Sequence, residues 1–208
     1  MAGCNLKCPF CHNPELSDIS LLDNSSLISE DNFFEFLASR PGLIEGVCVS
    51  GGEPTFSPDL PEFLKKIKEK KFLVKLDTNG LLPNILENLI KERLVDYIAM
   101  DIKAPLERYK EFFGNNLNLE NIHKSTELVR GLNDYEFRTT VVPSIHDKKD
   151  IISIARWLQG SKKYYLQQFR PEKTLDSNFL NINPYSEEKL IEFCNLCRPY
   201  FDVCELRL

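Results

Sequence analysis

From about residue 30 to the end of the chain, short apolar runs alternate with stretches whose apolar positions recur every three or four residues. The runs Val47–Ser50, Leu73–Asp77, Tyr97–Asp101, Phe137–Val142, Tyr164–Phe169 and Val203–Leu206 predict six strands. Between them, Leu60, Phe63, Leu64 and Ile67 fall at i, i+3, i+4, i+7, the spacing of one helical face. Leu82, Ile85, Leu86 and Leu89 repeat it, as do Ile151, Ile154, Ala155 and Leu158. Ser57-Pro58 reads as an N-cap followed by a first-turn proline for the first of these helices. Strands alternating with helices of this length imply βα units and a parallel sheet. Six such strands suit an incomplete barrel or an open sheet. No internal repeat or linker interrupts the pattern, so the expectation is one domain over residues 1–208, with Asn115–Asn121 as a loop inside it.

Composition narrows the setting. Hydrophobic residues at 42% and charged residues at 27% are ordinary for a soluble globular protein. No stretch approaches the ~18 consecutive apolar residues of a membrane span. A net charge of −5 gives no electrostatic footprint for nucleic acid, and the Lys65–Lys71 run reads as a solvated helix face. Seven cysteines, an odd number, argue against a complete disulfide framework. Met1-Ala2-Gly3-Cys4 lacks the basic and apolar segments of a secretion signal, so a reducing cytoplasm is the expected compartment.

Polar motifs gather at one end of the predicted strands. Ser50-Gly51-Gly52-Glu53-Pro54 follows the first, and Asp77-Thr78-Asn79-Gly80 ends the second. Asp101-Ile102-Lys103 ends the third, Arg138 lies in the fourth and Gln167-Gln168 in the fifth. Catalytic groups of parallel barrels collect at the carboxyl ends of several strands. Each motif alone has a structural reading: Gly-Gly and Asn-Gly form turns, and Asp101 with Lys103 could be an ion pair on one strand face.

The sharpest signal is Cys4-Asn5-Leu6-Lys7-Cys8-Pro9-Phe10-Cys11. Three thiolates at C-x3-C-x2-C spacing can ligate three irons of a [4Fe–4S] cubane and leave the fourth open. Zinc held by the three cysteines and His12 is the rival, but His12 adjoins Cys11 directly, unlike the separated ligand pairs of structural zinc sites. Leu190, Phe193, Cys194 and Cys197 share one apolar helix face, so Cys194 and Cys197, with Cys204, read as core thiols rather than a second metal site. Cys48, inside a strand, reads as core too.

With these residues in place, the chain resembles the radical SAM superfamily, whose cluster motif Cys4, Cys8 and Cys11 match. The longer string from Gly3 to Leu16 resembles the glycyl-radical-enzyme activases within it, most of all the anaerobic ribonucleoside-triphosphate reductase activating proteins. The likeness continues through Val49–Pro54, Lys75–Gly80, Asp96–Pro105, Arg138–Val142 and Leu166–Pro171. It implies a (β/α)6 partial barrel carrying a [4Fe–4S] cluster and S-adenosylmethionine (SAM). It further implies reductive cleavage of SAM to a 5′-deoxyadenosyl radical that abstracts hydrogen from a glycine of a partner enzyme. A flavodoxin- or ferredoxin-type reductant would supply the electron.

By resemblance, Gly51, Gly52 and Glu53 match the motif that holds the SAM amino group, and Phe10 the aromatic position beside adenine. Asp101 and Lys103 match the pair that meets the amino-acid and ribose portions. Asn79, Arg138 and Gln168 match positions near SAM. Asp77 and Thr78, with Asp101, match positions that hold a monovalent cation in related activases. Family members also enter the cysteine loop from an apolar strand, where this sequence has only Met1-Ala2-Gly3, so a first strand is expected to be missing. Other readings are a radical SAM enzyme acting on a small molecule or another peptide, or a zinc-stabilised or degenerate cluster-binding domain.

Overall fold

The structure, a computed structural model, describes residues 1–23 and 27–208. Six strands form one sheet: β1 Gly46–Val49, β2 Leu73–Thr78, β3 Tyr97–Asp101, β4 Tyr135–Val141, β5 Lys163–Gln168 and β6 Val203–Arg207. They lie side by side in sequence order, every neighbouring pair parallel. The predicted strands are all present, with ends moved by one or two residues. The sheet is open, since β1 and β6 each pair on one side only.

Among the described residues eight α-helices accompany it: α1 Pro14–Ser17, α2 Glu30–Ala38, α3 Leu60–Glu69, α4 Pro83–Lys91, α5 Tyr109–Phe113, α6 Leu119–Arg130, α7 Lys148–Trp157 and α8 Glu187–Cys197. Because the strand order never reverses, the crossover helices gather on one face of the sheet. The core fills the space between. Leu60, Leu64 and Ile67 of α3 are buried, as are Val74 and Leu76 of β2, Ile98 of β3 and Phe137 of β4. The alternating side chains of the strands point to the other face, which stays polar. No helix among the described residues is long and apolar enough to cross a membrane.

Three local expectations are corrected. Helix α3 starts at Leu60 rather than at Pro58: the chain first makes a turn in which the Leu60 amide donates to the Ser57 carbonyl at 3.3 Å, and Pro61 is the first-turn proline. Residues 119–121 belong to α6, which Asn118 caps by accepting from the Glu120 amide at 3.1 Å. Small polar Ser125 and Thr126 occupy its buried face, so its stripe is faint in the sequence. Cys48 is exposed, not core. Strand alternation turns Val49 into the core and Cys48 to the polar face, opposite Lys75.

Candidate active site at the carboxyl ends of the strands

A cleft of about 290 Å³ opens where β1 to β5 end. The loop of residues 4–11 forms one wall. Leu6, Cys8 and Phe10 are buried and anchor this loop, while Cys4 and Cys11 are half-buried, and all three thiols line the cleft. Backbone bonds fix its course: Gly3 N–H donates to the Leu16 carbonyl at 2.7 Å, Cys11 N–H to that of Cys8 at 3.0 Å, and Asp176 N–H to that of Pro9 at 2.9 Å. The Lys7 ammonium reaches the Ser17 carbonyl at 2.7 Å. Phe10 packs edge-on against Phe113, ring centres 6.4 Å apart. Burial pushes the Cys8 thiol up to about 12 despite the nearby Lys103, and raises that of Cys4. His12 stacks on Phe169 at 5.9 Å.

Gly51 and Gly52 let the loop's entry segment lie against the end of β1. A Cβ at Gly51, whose φ is +145°, would stand 2.0 Å from the Met1 carbonyl oxygen, and one at Gly52 2.2 Å from that of Gly3. With both positions glycine, the Gly52 and Glu53 amides donate to the Met1 and Gly3 carbonyls at 2.9 and 2.8 Å. Glu53 lines the cleft, but its carboxylate is engaged within the protein. It is buried and accepts from Thr55 N–H at 3.1 Å, Thr78 Oγ1 at 2.7 Å and Asn79 N–H at 2.6 Å, tying the ends of β1 and β2 together. Burial raises its carboxyl against these donors. Asn79 extends the tie, its Nδ2 donating to Asn5 of the cysteine loop at 2.9 Å.

The floor is an ion network. Arg138 donates through Nε to Asp101 at 2.8 Å and through Nη1 to Asp77 at 3.1 Å. Lys103 reaches the other oxygen of Asp101 at 2.9 Å, and Lys75 reaches the other oxygen of Asp77. Burial alone would raise the Asp101 carboxyl, but the charges of Lys103 and Arg138 outweigh it and hold it at about 2. Asp101 raises Lys103 and Arg138 in turn, against their burial. The register places Asp101 directly opposite Arg138, which makes the pair a consequence of strand alignment.

Backbone atoms of residues 102–103 are held from behind. Ile102 N–H donates to the Arg138 carbonyl at 2.7 Å, Lys103 N–H to the Tyr109 hydroxyl at 2.8 Å, and the Ile102 carbonyl accepts from Thr139 at 2.9 Å. His146 Nδ1 accepts from Val142 N–H at 3.0 Å, which leaves its proton on Nε2 for the Lys103 carbonyl, also 3.0 Å away. Burial lowers this imidazole from 6.5 to about 4, only partly offset by the Lys103 carbonyl. Between those values the unfolded chain holds one more proton than the folded one, so stability rises with pH. Acidifying from pH 7 to 5 is therefore expected to destabilise the protein by roughly 2 kcal/mol more than it destabilises His146→Gln. Urea melts at both pH values check this, and an equal loss in the two proteins would remove His146 from the account.

The expected site residues thus converge, with one exception. Gln168 faces the helices and donates to the Tyr185 carbonyl at 3.0 Å, whereas Gln167 lines the cleft. Period-two alternation admits only one of two adjacent strand residues to a face. Sequence reasoning also passed over Lys75, Thr140, Asn5, Tyr109 and His146. Lys75 carried a signal, standing two residues before Asp77 on the same strand face.

Strand ends that deliver ionic groups to one rim, with a three-thiol loop folded across it, define a barrel-derived enzyme built around a cysteine-held cluster. The chain belongs to the radical SAM superfamily, whose model matches residues 1–158. Members use a [4Fe–4S] cluster and SAM, and these are the cofactors of this enzyme. A Methanocaldococcus jannaschii protein named as a glycyl-radical enzyme activating enzyme is 35% identical over 99% of this chain and 85% of its own. In fold, the chain is similar to a domain of pyruvate-formate lyase-activating enzyme from Bacteroides vulgatus, with TM-score 0.56 at 20% identity over 77% of this chain and 98% of that one. Streptococcus suis SuiB bound to S-adenosylmethionine matches with TM-score 0.71 at 15% identity, over 97% of this chain and 48% of that one.

Proposed function

We propose that this radical SAM enzyme activates a glycyl-radical enzyme, generating a glycyl radical on a partner protein of the anaerobic ribonucleotide reductase kind. The observation that carries the reading is the meeting of Cys4, Cys8 and Cys11 with Gly51, Asp77, Asp101, Lys103 and Arg138 around one cleft. The donor set fits the cofactors. Three free thiols on one loop are soft ligands suited to iron–sulfur binding. Two carboxylates of the floor face three cations, Lys75, Lys103 and Arg138, leaving one positive charge for the carboxylate of SAM.

In this reading Cys4, Cys8 and Cys11 hold the cluster. Gly51 and Gly52 border the SAM amino group while leaving room for the segment that enters the cysteine loop, and Glu53 with Asn79 fixes the two strand ends beside it. Asp101 and Lys103 meet the amino-acid and ribose portions, Arg138 orients Asp101, and Phe10 flanks the adenine. The cofactors together supply a 5′-deoxyadenosyl radical by reductive cleavage of SAM. Leu6, Cys8 and Phe10, buried behind the loop, exclude water from that side of the cleft. A match along nearly the whole length of the M. jannaschii protein supports a protein substrate for this chain.

The test is anaerobic reconstitution with each glycyl-radical enzyme from the same organism, its glycine carbon deuterated. A true pair gives a glycyl radical signal by electron paramagnetic resonance and passes deuterium into 5′-deoxyadenosine. SAM cleavage with neither signal, for every such enzyme, would overturn the activase role and leave a small-molecule or other peptide substrate.

A further inference from the structure

Asp77, Thr78 and Asp101 match positions that hold a monovalent cation in related activases, yet in this chain every oxygen of those three side chains is already bonded within the protein, the four carboxylate oxygens each to a cationic side chain. Asp77 gives one carboxylate oxygen to Lys75 and the other to Arg138 at 3.1 Å. Asp101 gives one to Arg138 at 2.8 Å and the other to Lys103 at 2.9 Å. The Thr78 hydroxyl donates to Glu53 at 2.7 Å and accepts from Gly80 N–H at 3.1 Å. A metal cation placed among them would meet an ammonium and a guanidinium at close range, in a site where Asp77 and Arg138 are both largely buried.

We propose that Lys75 and Arg138 take the place of the monovalent cation, so that SAM binding here is independent of sodium and potassium. Arg138 bridges the two carboxylates as a shared counter-ion would, and its position is set by the β3–β4 register. Lys75 completes the compensation at Asp77 from two residues earlier on β2, the same face of the strand. Glu136 closes the network behind, 3.8 Å from Arg138, and is itself neutralised by two bonds of 2.7 Å from Arg207. Lys75 is a positioning residue: it touches Asp77, and through Asp77 fixes Arg138.

The inference rests on the assignment of the cleft to SAM and not on the identity of the protein partner. The experiment compares the reconstituted enzyme in potassium chloride with the same enzyme in tetramethylammonium chloride at equal ionic strength, reading the Kd for SAM by equilibrium dialysis. A thermal melt without SAM gives a second reading. The wild-type Kd is expected to agree within about twofold between buffers, with an unchanged melting midpoint. Lys75 is one-third exposed, so Lys75→Met should fold. Its Kd should weaken about tenfold in tetramethylammonium and recover in potassium, while Lys75→Arg stays indifferent. A wild-type Kd or melting midpoint that depends on potassium would overturn the proposal, and so would a Lys75→Met protein that binds SAM equally in both buffers. Failure to bind SAM in any buffer would instead strike the cofactor assignment, with the melts still deciding whether potassium binds.

Discussion

Alanine in place of Cys4, Cys8 or Cys11 is expected to bring SAM cleavage down to background, with most of the iron lost, while the fold survives. The reason is division of labour along the loop. Under the proposed assignment each thiolate binds a different iron, so no neighbour can substitute for a missing one. Besides Cys8 packing and a Leu6 amide bond to the Cys4 sulfur, the loop is held by Leu6, Phe10 and backbone bonds at Gly3, Pro9 and Cys11, which need no thiol. Far-ultraviolet circular dichroism should therefore change little. Cys194→Ala and Cys197→Ala are the controls. Both side chains are buried on α8, and Cys194 lies 3.8 Å from the thiol of Cys204. Their loss removes packing, expected to cost about 1–3 kcal/mol, with the iron load intact. Iron and sulfide content beside urea melts separates the two groups. Loss of several irons per chain in the Cys194 or Cys197 variants would overturn the reading of those thiols as core.

Much of this site can be read along the chain because parallel strands bring their ends to one rim. Once six strands are recognised, Asp77, Asp101 and Arg138 must converge. The arrangement has no other place for them, and the register then sets Asp101 opposite Arg138. What the pattern hides depends on which face a residue takes and on distant partners. Gln167 and Gln168 are chemically identical neighbours, so only the phase of β5 decides which reaches the cleft. Cys48 looks like core because it stands among apolar residues, yet the phase of β1 sends it to the polar face. Glu53 sits in a motif that suggests ligand contact. Its partners within the chain, Thr55, Thr78 and Asn79, come partly from another strand, and their hydrogen bonds also make it a brace between strand ends. Tyr109 and His146 stand outside every motif and hold the backbone of Lys103, a role that no residue type announces.

The ion network carries the other large expected effect. Arg138→Met should destabilise the protein by roughly 1–3 kcal/mol before any cofactor is added, because it leaves the partly buried Asp77 and Asp101 without their shared partner, each with only its lysine. Arg138 is 11% exposed and Asp77 16%, so water reaches neither well enough to replace the lost bonds. Asp101→Asn should cost less, since the amide oxygen still accepts from one of Lys103 and Arg138, though its NH2 then faces the other and an excess of positive charge remains. Both variants should bind SAM more weakly, by different routes. The first lets Asp101 turn away from the cleft, and the second removes the charge that holds Lys103 in place. The same network makes a prediction about acid. Asp101 has a folded-state value near 2 against 3.8 unfolded, so its contribution is complete above pH 4 and disappears as pH falls through 2. That contribution is roughly 2 kcal/mol and should be absent from the acid limb of Asp101→Asn. Urea melts of the cofactor-free proteins, run from pH 7 down to 2, measure the structural part, and SAM affinity at neutral pH measures the functional part. An Arg138→Met protein with wild-type melting and wild-type SAM affinity would show that strand register alone, without the guanidinium, holds the two carboxylates in place.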